Sequence, residues 1–557
     1  MRNRLRGNGP WGPVAVALAV VLVGVPLYRL VDVVANAGTT SLRQLVTGAG
    51  FASALTHSVV TAAAATAIAV PLGTVMALVT WRATVPGRRW LQGALVLPLL
   101  VPQFALGYSW THAYGRSGFT DTLFGVTWAG LLGGFGVVVV MAVTLLPLVF
   151  VIVAVSLRTR AEPDLERAAR ASGAGHLVVA RTITLPLLRG PLAAATALVF
   201  VAGLEAFGVP AALGMPAGYD TLTTRIYRDL ALASEPSAFN EAVTLALLLV
   251  VLAMCVLVPV DQLMRRRALP LRSGAGGSTP QSGRPTAGAH VGSVLLWLYV
   301  VAVVGLPLLA VGLASVTPAV GVSPAPRNWT LANYRVALAG PTLGALRRSL
   351  LLAVAAGTLI VLLGFAVAML ERQQGSAGLG TLVTLGYALP GSAVAVGVYL
   401  AYGRWLRDTL LIMLLAYVTK LWPLGHRPVA AVADRLHRDE PRAARASGAG
   451  SVVSWRTVQL PRLAPALVAA WFLVFLTVLH ELTMSSLLYG PRTQTLAVVV
   501  LNAQEVGGVG VTAALSVLLT ALVPLVAAPA VVWWLIRRRH PQSARVAPVE
   551  SVLAHAA

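Results

Sequence analysis

Long apolar stretches constrain the fold of this chain more than any other feature of its sequence. A helix needs about 20 residues to cross the hydrocarbon of a membrane, and the stretches reach that length. Of the 557 residues, 57% are hydrophobic and only 11% are charged, whereas soluble domains carry about 25% charged residues. The stretches lack the apolar–polar alternation of a membrane β-barrel. The sequence therefore predicts an all-α integral membrane protein.

About twelve transmembrane helices are predicted, in two groups of six. The predicted spans are residues 11–28, 57–81, 90–111, 131–156, 191–213, 241–261, 291–315, 347–370, 378–402, 410–432, 465–489 and 509–536. Residues 264–290 are rich in Gly, Ser, Pro and Arg, a composition typical of a flexible linker. We therefore expect a first six-helix half at 1–263, a second at 291–536 and a basic tail at 537–557.

The distribution of arginine predicts the topology. With the N-terminus inside, the inner segments hold 28 arginines and the outer segments hold 12. Cytoplasmic loops carry the excess of positive charge in membrane proteins, so both termini and the linker are expected in the cytoplasm. The net charge of +23 is explained by these loops and predicts no nucleic-acid partner. The basic N-terminus resembles a signal peptide, but Arg29 and Asp32 after the apolar run favour an uncleaved first helix.

One polar segment occurs twice at a constant offset of 275 residues. The sequence RAARASGAG runs over 167–175 and again over 442–450, and each copy is followed by a Leu-Pro pair. The repeat predicts two homologous halves in the same orientation, which is a parallel repeat. We name residues 158–190 the first repeat loop and residues 433–464 the second repeat loop. Charge places both in the cytoplasm.

Each repeat loop is predicted to form two short helices separated by a glycine break. Gly173 and Gly448 follow the alanine-rich helix, and Pro186 and Pro461 mark the end of the second. Small residues let another surface approach the backbone closely, and arginines offer charge-assisted contacts. The pattern therefore indicates a docking element. The alternative, a loop whose arginines only fix topology, does not explain the repeated Ala, Gly and Leu-Pro spacing.

This pattern resembles the EAA loop of ABC-importer permeases, in which Glu-Ala-Ala, three residues, Gly and nine residues precede Ile-x-Leu-Pro. In that family the loop docks into a groove on a cytoplasmic ATPase. Both copies depart at the first position, where Arg replaces Glu, and an acid stands one or two residues earlier. The resemblance assigns ATPase coupling to Glu166, Arg167, Ala168, Ala169, Gly173, Ile183, Leu185, Pro186, Glu440, Arg442, Ala443, Ala444, Gly448, Val458, Leu460 and Pro461.

The resemblance extends over nearly the whole chain apart from linker and tail. The segments around Glu205 and His480 look like the fifth-helix region of fused iron(III)-type permeases, which join two halves in one chain. It implies a type I importer fold and iron(III) as the substrate, with thiamine, phosphonate and polyamine permeases as alternatives. It also implies two copies of an ABC ATPase, a binding protein outside the membrane and a place in the bacterial inner membrane.

The chain lacks the motifs of an enzyme. A phosphate-binding loop ends in Gly-Lys-Ser/Thr, but the single lysine, Lys420, is followed by Leu421. We expect no catalytic residues, no metal site and no cofactor, and ATP hydrolysis is expected in a separate subunit. A twelve-helix secondary transporter driven by an ion gradient is the second hypothesis, although it gives no reason for the repeat loops. A membrane enzyme is the third, but its catalytic clusters are missing.

Charged groups inside predicted spans are the candidates for a translocation pathway, because such groups are costly in lipid and face the bundle interior or water. They are Glu205, Lys420, Arg427 and Glu481, and His480 is equivalent to Glu205 under the 275-residue offset. One hypothesis is that Glu205 and Glu481 line the pathway or its gate, with His480 at matching depth. The other is an internal ion pair, for instance between Glu481 and Lys420. The alternatives for Lys420 and Arg427 are contact with an anionic ligand or a place nearer the interface.

Overall fold

The protein is described here from a computed structural model. It describes residues 17–18, 20–48, 50–82, 87–160, 163–266, 287–319, 321–374, 386, 388–434, 436, 443–444, 446–448 and 450–539. The tail beyond 539, most of the linker, and Glu440 and Arg442 of the second repeat loop lie outside these residues.

The described residues form helices and connecting turns, with no strand among them. The α-helices of ten or more residues are Val25–Thr47, Phe51–Arg82, Gln103–Tyr114, Gly134–Arg160, Leu185–Leu204, Pro236–Arg266, Ala287–Val300, Leu306–Val316, Thr342–Gln374, Gly391–Leu406, Leu410–Ala433, Leu460–Leu479, Leu496–Glu505 and Val509–Arg539. Shorter α-helices are Arg88–Val96, Phe119–Phe124, Pro163–Ala171, His176–Val179, Leu222–Tyr227, Ala332–Ala339, Ser451–Ser454 and Thr483–Leu488. The all-α membrane fold predicted from the sequence is confirmed.

The number of spans differs from the predicted twelve. In the described part of the chain, nine helices are long and apolar enough to cross a membrane, and one bent pair makes a tenth if it is a single span. The two remaining predictions are 378–402, which starts outside the described residues, and 410–432. The helix Leu410–Ala433 has 24 residues, but Lys420, His426 and Arg427 lower its hydropathy.

Several predicted spans are interrupted where the sequence suggested one continuous helix. The span predicted at 90–111 is two segments in the structure, Arg88–Leu100 and Gln103–Phe124, which meet at 106°. The chain bends there because Pro102 cannot continue the first segment. The predictions of 191–213 and 465–489 also break, at Leu204 and at Leu479. The first span is displaced along the sequence to Val20–Gly38. Arg29 and Asp32 remain helical there because they form an ion pair of 3.1 Å one turn apart.

Two groups of three helices form the centre of the protein. Phe51–Arg82, Gly134–Arg160 and Leu185–Leu204 pack on one another, as do Thr342–Gln374, Leu410–Ala433 and Leu460–Leu479. Glycine allows the tightest crossing: a Cβ on Gly364 would lie 2.4 Å from the backbone of Gly425. Close backbone approach through small residues is how helices associate in membranes, where the hydrophobic effect does not drive them together.

Two further helices pack against helices from the other part of the sequence. Val25–Thr47 lies against Gly391–Leu406, and Leu306–Val316 lies against Gln103–Tyr114. Tyr402, in Gly391–Leu406, donates to the carbonyl of Val21, in the turn before Val25–Thr47, at 2.6 Å. Tyr108, in Gln103–Tyr114, donates to the carbonyl of Val509, at the start of Val509–Arg539, at 2.9 Å. Distant parts of the sequence are therefore interleaved. The division into two homologous halves with bounds at 263 and 291 stays a prediction.

Candidate functional site

The first repeat loop contains a helix, Pro163–Ala171, that ends in a Schellman motif at Gly173. The N–H of Ala174 donates to the carbonyl of Ala169, and the N–H of Gly173 donates to that of Arg170, each at 3.0 Å. Gly173 has φ of 85°, a left-handed conformation that favours glycine. The predicted glycine break is therefore where the structure places the end of this helix.

The surface around Gly173 is open. No atom lies within 4 Å of the position that a Cβ would take. Gly173, Arg167 and Ala168 are exposed, whereas Glu166 and Ala169 are half-buried. An exposed glycine beside exposed small residues leaves the backbone accessible to another protein, which is what a docking element requires.

Glu166 joins the two helical parts of the first repeat loop. Its Oε1 accepts a hydrogen bond of 2.7 Å from the hydroxyl of Thr184, and Thr184 is buried with 2% exposure. Sequence reasoning missed Thr184, which stands at the unspecified position of the Ile-x-Leu-Pro pattern, between Ile183 and Leu185. The structure thus gives Glu166 a contact inside the loop, one residue before the position that the family pattern reserves for glutamate.

The second repeat loop repeats this geometry where the structure describes it. Gly448 has φ of 83°, and the N–H of Ser447 donates to the carbonyl of Ala443 at 3.0 Å, as that of Ser172 does to Ala168. The Glu166–Thr184 bond has no counterpart, because Pro441 and Gln459 occupy the equivalent positions. Val458 and Leu460 are half-buried, and Ala443 and Pro461 are exposed.

Each repeat loop leads directly into a long helix. A π-helical turn, Ala180–Thr184, precedes Leu185–Leu204, and its equivalent, Trp455–Gln459, precedes Leu460–Leu479. Such π-turns are rare and occur often at functional sites. Ile183, Leu185 and Pro186 lie at this joint and are half-buried. At 1.5 Å per residue, each helix extends about 30 Å from its loop.

Both long helices end at a predicted pathway residue. Glu205 caps the first with φ of −90° and ψ of 0°, and His480 caps the second with φ of −97° and ψ of 2°. The following segments are short and irregular, although they are buried: Phe207 is 2% and Leu213 is 0% exposed. Broken helices at membrane depth are tolerated only where protein or a water-filled cavity surrounds them.

Lys420 connects the first break to the opposite helix group. Its Nζ donates to Oε2 of Glu205 and to the carbonyl of Leu389, both at 2.5 Å. The side chains of Lys420 and Glu205 are 13% and 22% exposed. The ion pair suggested by the sequence, Glu481 with Lys420, is therefore replaced by Glu205 with Lys420. The two groups are 215 residues apart, a pairing that sequence spacing alone does not indicate.

Glu481 has a local structural role that the sequence did not show. Its carboxylate accepts hydrogen bonds from the backbone N–H groups of Met484 and Ser485 at 2.8 and 2.9 Å. The hydroxyl of Ser485 donates to the same carboxylate at 3.0 Å and also meets the hydroxyl of Tyr417. Glu481 thus satisfies the free N–H groups at the start of Thr483–Leu488. The Nε2 of His480 is buried without a hydrogen-bond partner among the described residues.

A network of charged groups surrounds the short helix Leu222–Tyr227. Arg225 contacts Asp229 at 3.2 Å and Glu241 at 2.8 Å, and Arg228 contacts Asp220 at 2.6 Å. Burial raises the pKa of Asp229 to about 6; Arg225 opposes this shift and Glu241 adds to it. Asp229 therefore favours its protonated form more in the folded protein than in the unfolded chain.

This shift predicts a pH dependence of stability. The folded state binds the proton of Asp229 more tightly, so the stability from this residue is present below the ordinary pKa of 3.8 and is lost as pH rises towards about 6. The loss amounts to at most about 3 kcal/mol. We expect Asp229→Asn to remove this part of the pH profile of the melting temperature of the purified protein.

Glu235→Gln is the control for that measurement, because Glu235 is an exposed carboxylate in the same segment. Its profile should match that of the unmodified protein. If the Asp229→Asn variant instead shows the same fall in melting temperature between pH 4 and pH 6, Asp229 is not the titrating group.

Comparison with known proteins identifies the family. Residues 69–266 match the family described as "Binding-protein-dependent transport system inner membrane component". The chain is also 32% identical over 264 residues to "Molybdenum transport system permease protein ModB" of Mycobacterium tuberculosis, covering 92% of that protein and 45% of this chain. The chain belongs to this family of ABC-importer permeases. The resemblance predicted from the repeat loops is confirmed.

The permease is also similar to relatives that match most of its length. It is 24% identical over 508 residues to "Fe(3+)-transport system permease protein FbpB 2" of Haemophilus influenzae, covering 88% of this chain and 92% of that protein. It is 26% identical over 450 residues to "Ferric transport system permease protein FbpB" of Actinobacillus pleuropneumoniae. That match covers 77% of the permease and 64% of the relative. The permease is a multi-pass inner membrane protein and belongs to a family of transporters, not enzymes.

Proposed function

We propose that this permease forms the translocation pathway of an ATP-driven importer and that a separate ATPase docks on each repeat loop in the cytoplasm. The observation that carries the proposal is the recurrence of one exposed glycine turn, at Gly173 and at Gly448, beside the start of a long helix. A loop that served only topology would need positive charge but not this backbone geometry.

The helices after the loops supply the coupling in this proposal. Leu185–Leu204 runs from the first repeat loop to Glu205, and Leu460–Leu479 runs from the second to His480. A displacement of either loop is carried along a rigid helix to the break at its far end. ATP binding would draw two ATPase subunits together, push both loops and rearrange the contacts of Glu205. A binding protein outside the membrane would deliver the substrate.

Iron(III) is the substrate that we propose. The similarity to the ferric permeases extends over 77% and 88% of this chain, whereas the similarity to ModB covers 45% of it. Molybdate is the second candidate, because the identity to ModB is higher, at 32%. The two candidates differ in the sign of their charge, so one transport assay separates them.

The test is uptake by the full chain reconstituted in proteoliposomes with candidate ABC ATPases and binding proteins from the same organism. We expect the iron-loaded binding protein to stimulate ATP hydrolysis and radioactive iron(III) to accumulate only when ATP is hydrolysed. Accumulation of molybdate without iron would overturn the substrate. Uptake that continues without the ATPase and collapses with an uncoupler would overturn the importer mechanism and favour a secondary transporter.

A further inference from the structure

A basic cleft lies where the first repeat loop begins, at the ends of two membrane helices, and Arg158 belongs to both the loop and the cleft. The cleft is open to the surroundings, and the space in it that water can occupy is about 590 Å³. Its lining residues are Trp81, Gly87, Arg88, Arg89, Trp90, Gln92 and Arg158. Trp81 lies at the end of Phe51–Arg82, and Arg158 lies near the end of Gly134–Arg160. None of the residues assigned to ATPase coupling lines this cleft.

Two arginines converge on one indole ring in this cleft. The guanidinium carbon of Arg88 lies 5.5 Å from the ring centre of Trp81, and that of Arg158 lies 5.6 Å from it. Both are at cation–π distance. Within the part of the chain that the structure describes, neither arginine forms a salt bridge with a carboxylate. Two neighbouring like charges attract an anion.

The surroundings of the cleft favour a lipid over a protein acid. Trp90 is 80% exposed and stands at the level where membrane helices end, the position that tryptophan prefers at the interface. The helix Arg88–Val96 begins at Gly87 without a side-chain cap, so its positive end faces the same region. An anion held here would have its charge at the arginines and its apolar part beside Trp90.

We propose that this cleft binds the phosphate of an anionic phospholipid headgroup, with Arg88 and Arg158 as the donors. Trp81 holds the two guanidinium groups in place, and Trp90 contacts the acyl chain below the headgroup. Basic pockets between membrane helices are known to select such lipids on the cytoplasmic side. The cytoplasmic placement of the repeat loops decides which leaflet supplies the lipid. The site itself does not depend on that placement.

Native mass spectrometry of the full chain tests this site. The protein is titrated with dioctanoyl-phosphatidylglycerol, and with dioctanoyl-phosphatidylcholine as the zwitterionic reference. We expect the double variant Arg88→Gln/Arg158→Gln to bind phosphatidylglycerol at least about tenfold more weakly, since each charge-assisted hydrogen bond contributes roughly that factor. Binding of phosphatidylcholine should stay unchanged. Arg88→Lys/Arg158→Lys should show an intermediate loss, because lysine keeps the charge but loses the planar stacking group.

The matched control is Arg335→Gln/Arg404→Gln, which removes the same charge from two other exposed arginines. It should bind phosphatidylglycerol like the unmodified protein. Equal melting temperatures of the variants show that the fold is intact, and Trp90→Ala gives a second test that retains all charges. Unchanged phosphatidylglycerol binding by the Arg88/Arg158 variant would overturn the proposal. So would loss of ATPase association with lipid binding intact, because the cleft would then be a protein surface.

Discussion

Gly173→Val is expected to reduce ATP-driven uptake by at least about tenfold while the protein remains in the membrane. Gly173 has φ of 85°, and a β-branched residue in the left-handed region costs about 1–3 kcal/mol of strain. The helix Pro163–Ala171 would lose its Schellman termination, so the docking surface would change shape. ATP hydrolysis should continue, because the ATPase itself is intact. Radioactive substrate uptake and phosphate release, measured on the same proteoliposomes, give the ratio that reports uncoupling.

Gly175→Ala is the matched control, because Gly175 lies two residues away, is also exposed and has open space around it but no left-handed φ. It should transport normally. Gly173→Asn distinguishes the effect of backbone strain from the effect of a side chain added to the docking surface, since asparagine tolerates the left-handed conformation. Gly448→Val tests the second repeat loop in the same way. Normal transport by both valine variants would contradict the docking role of the loops.

Lys420→Met is expected to cause the largest loss of stability among single substitutions at the two helix breaks. It leaves the half-buried carboxylate of Glu205 without its counter-charge and the carbonyl of Leu389 without its donor. Removing one partner of a buried pair typically costs about 3–5 kcal/mol. We expect a lower melting temperature and less folded protein in detergent, measured by size-exclusion chromatography with fluorescence detection.

The double variant Glu205→Gln/Lys420→Met decides between the two hypotheses for this pair. If the pair only joins the helix groups, the double variant should recover much of the stability and also the uptake. If the pair belongs to the gate, the stability should recover while uptake stays low and ATP hydrolysis continues. Purely additive losses of stability in the two single variants would show that the 2.5 Å contact contributes no coupling energy. Ser485→Ala removes one hydrogen bond to the carboxylate of Glu481. Its loss of stability serves as the comparison from the second helix break.

The sequence was sufficient for the class of fold and for the glycine break of the repeat loops, because both depend on local patterns. Apolar length identifies membrane helices, and the glycine at a fixed distance after an alanine-rich helix indicates a helix end. The positive φ at Gly173 and at Gly448 confirms that local prediction. The prediction that Pro186 and Pro461 end a second short helix is wrong: both lie in the first turn of the long helices Leu185–Leu204 and Leu460–Leu479, where proline is tolerated. The assignment of ATPase coupling to these residues stays a prediction, as does the pathway role of Glu205, Lys420, His480 and Glu481.

Features that depend on contacts between distant segments were not predictable in the same way. Charge alone suggested Glu481 as the partner of Lys420, whereas the three-dimensional packing gives that place to Glu205. The breaks after Leu204 and Leu479 interrupt apolar sequence, so hydropathy treats them as continuous helix. The hydrogen bond of Glu166 to Thr184 joins two polar residues 18 positions apart, and only the folded loop shows that they meet.

The crossing of Val25–Thr47 onto Gly391–Leu406 has a consequence for how the protein is made. Insertion into the membrane follows synthesis, which proceeds at about 5–20 residues per second. More than 300 residues separate the two helices, so the face of the first helix that meets the second waits for tens of seconds before its partner exists. During that interval Phe51–Arg82 and Pro236–Arg266, which also pack on it, are available as partners. This contact therefore waits for residues on the far side of the linker, and until they are made one face of Val25–Thr47 lacks its protein partner.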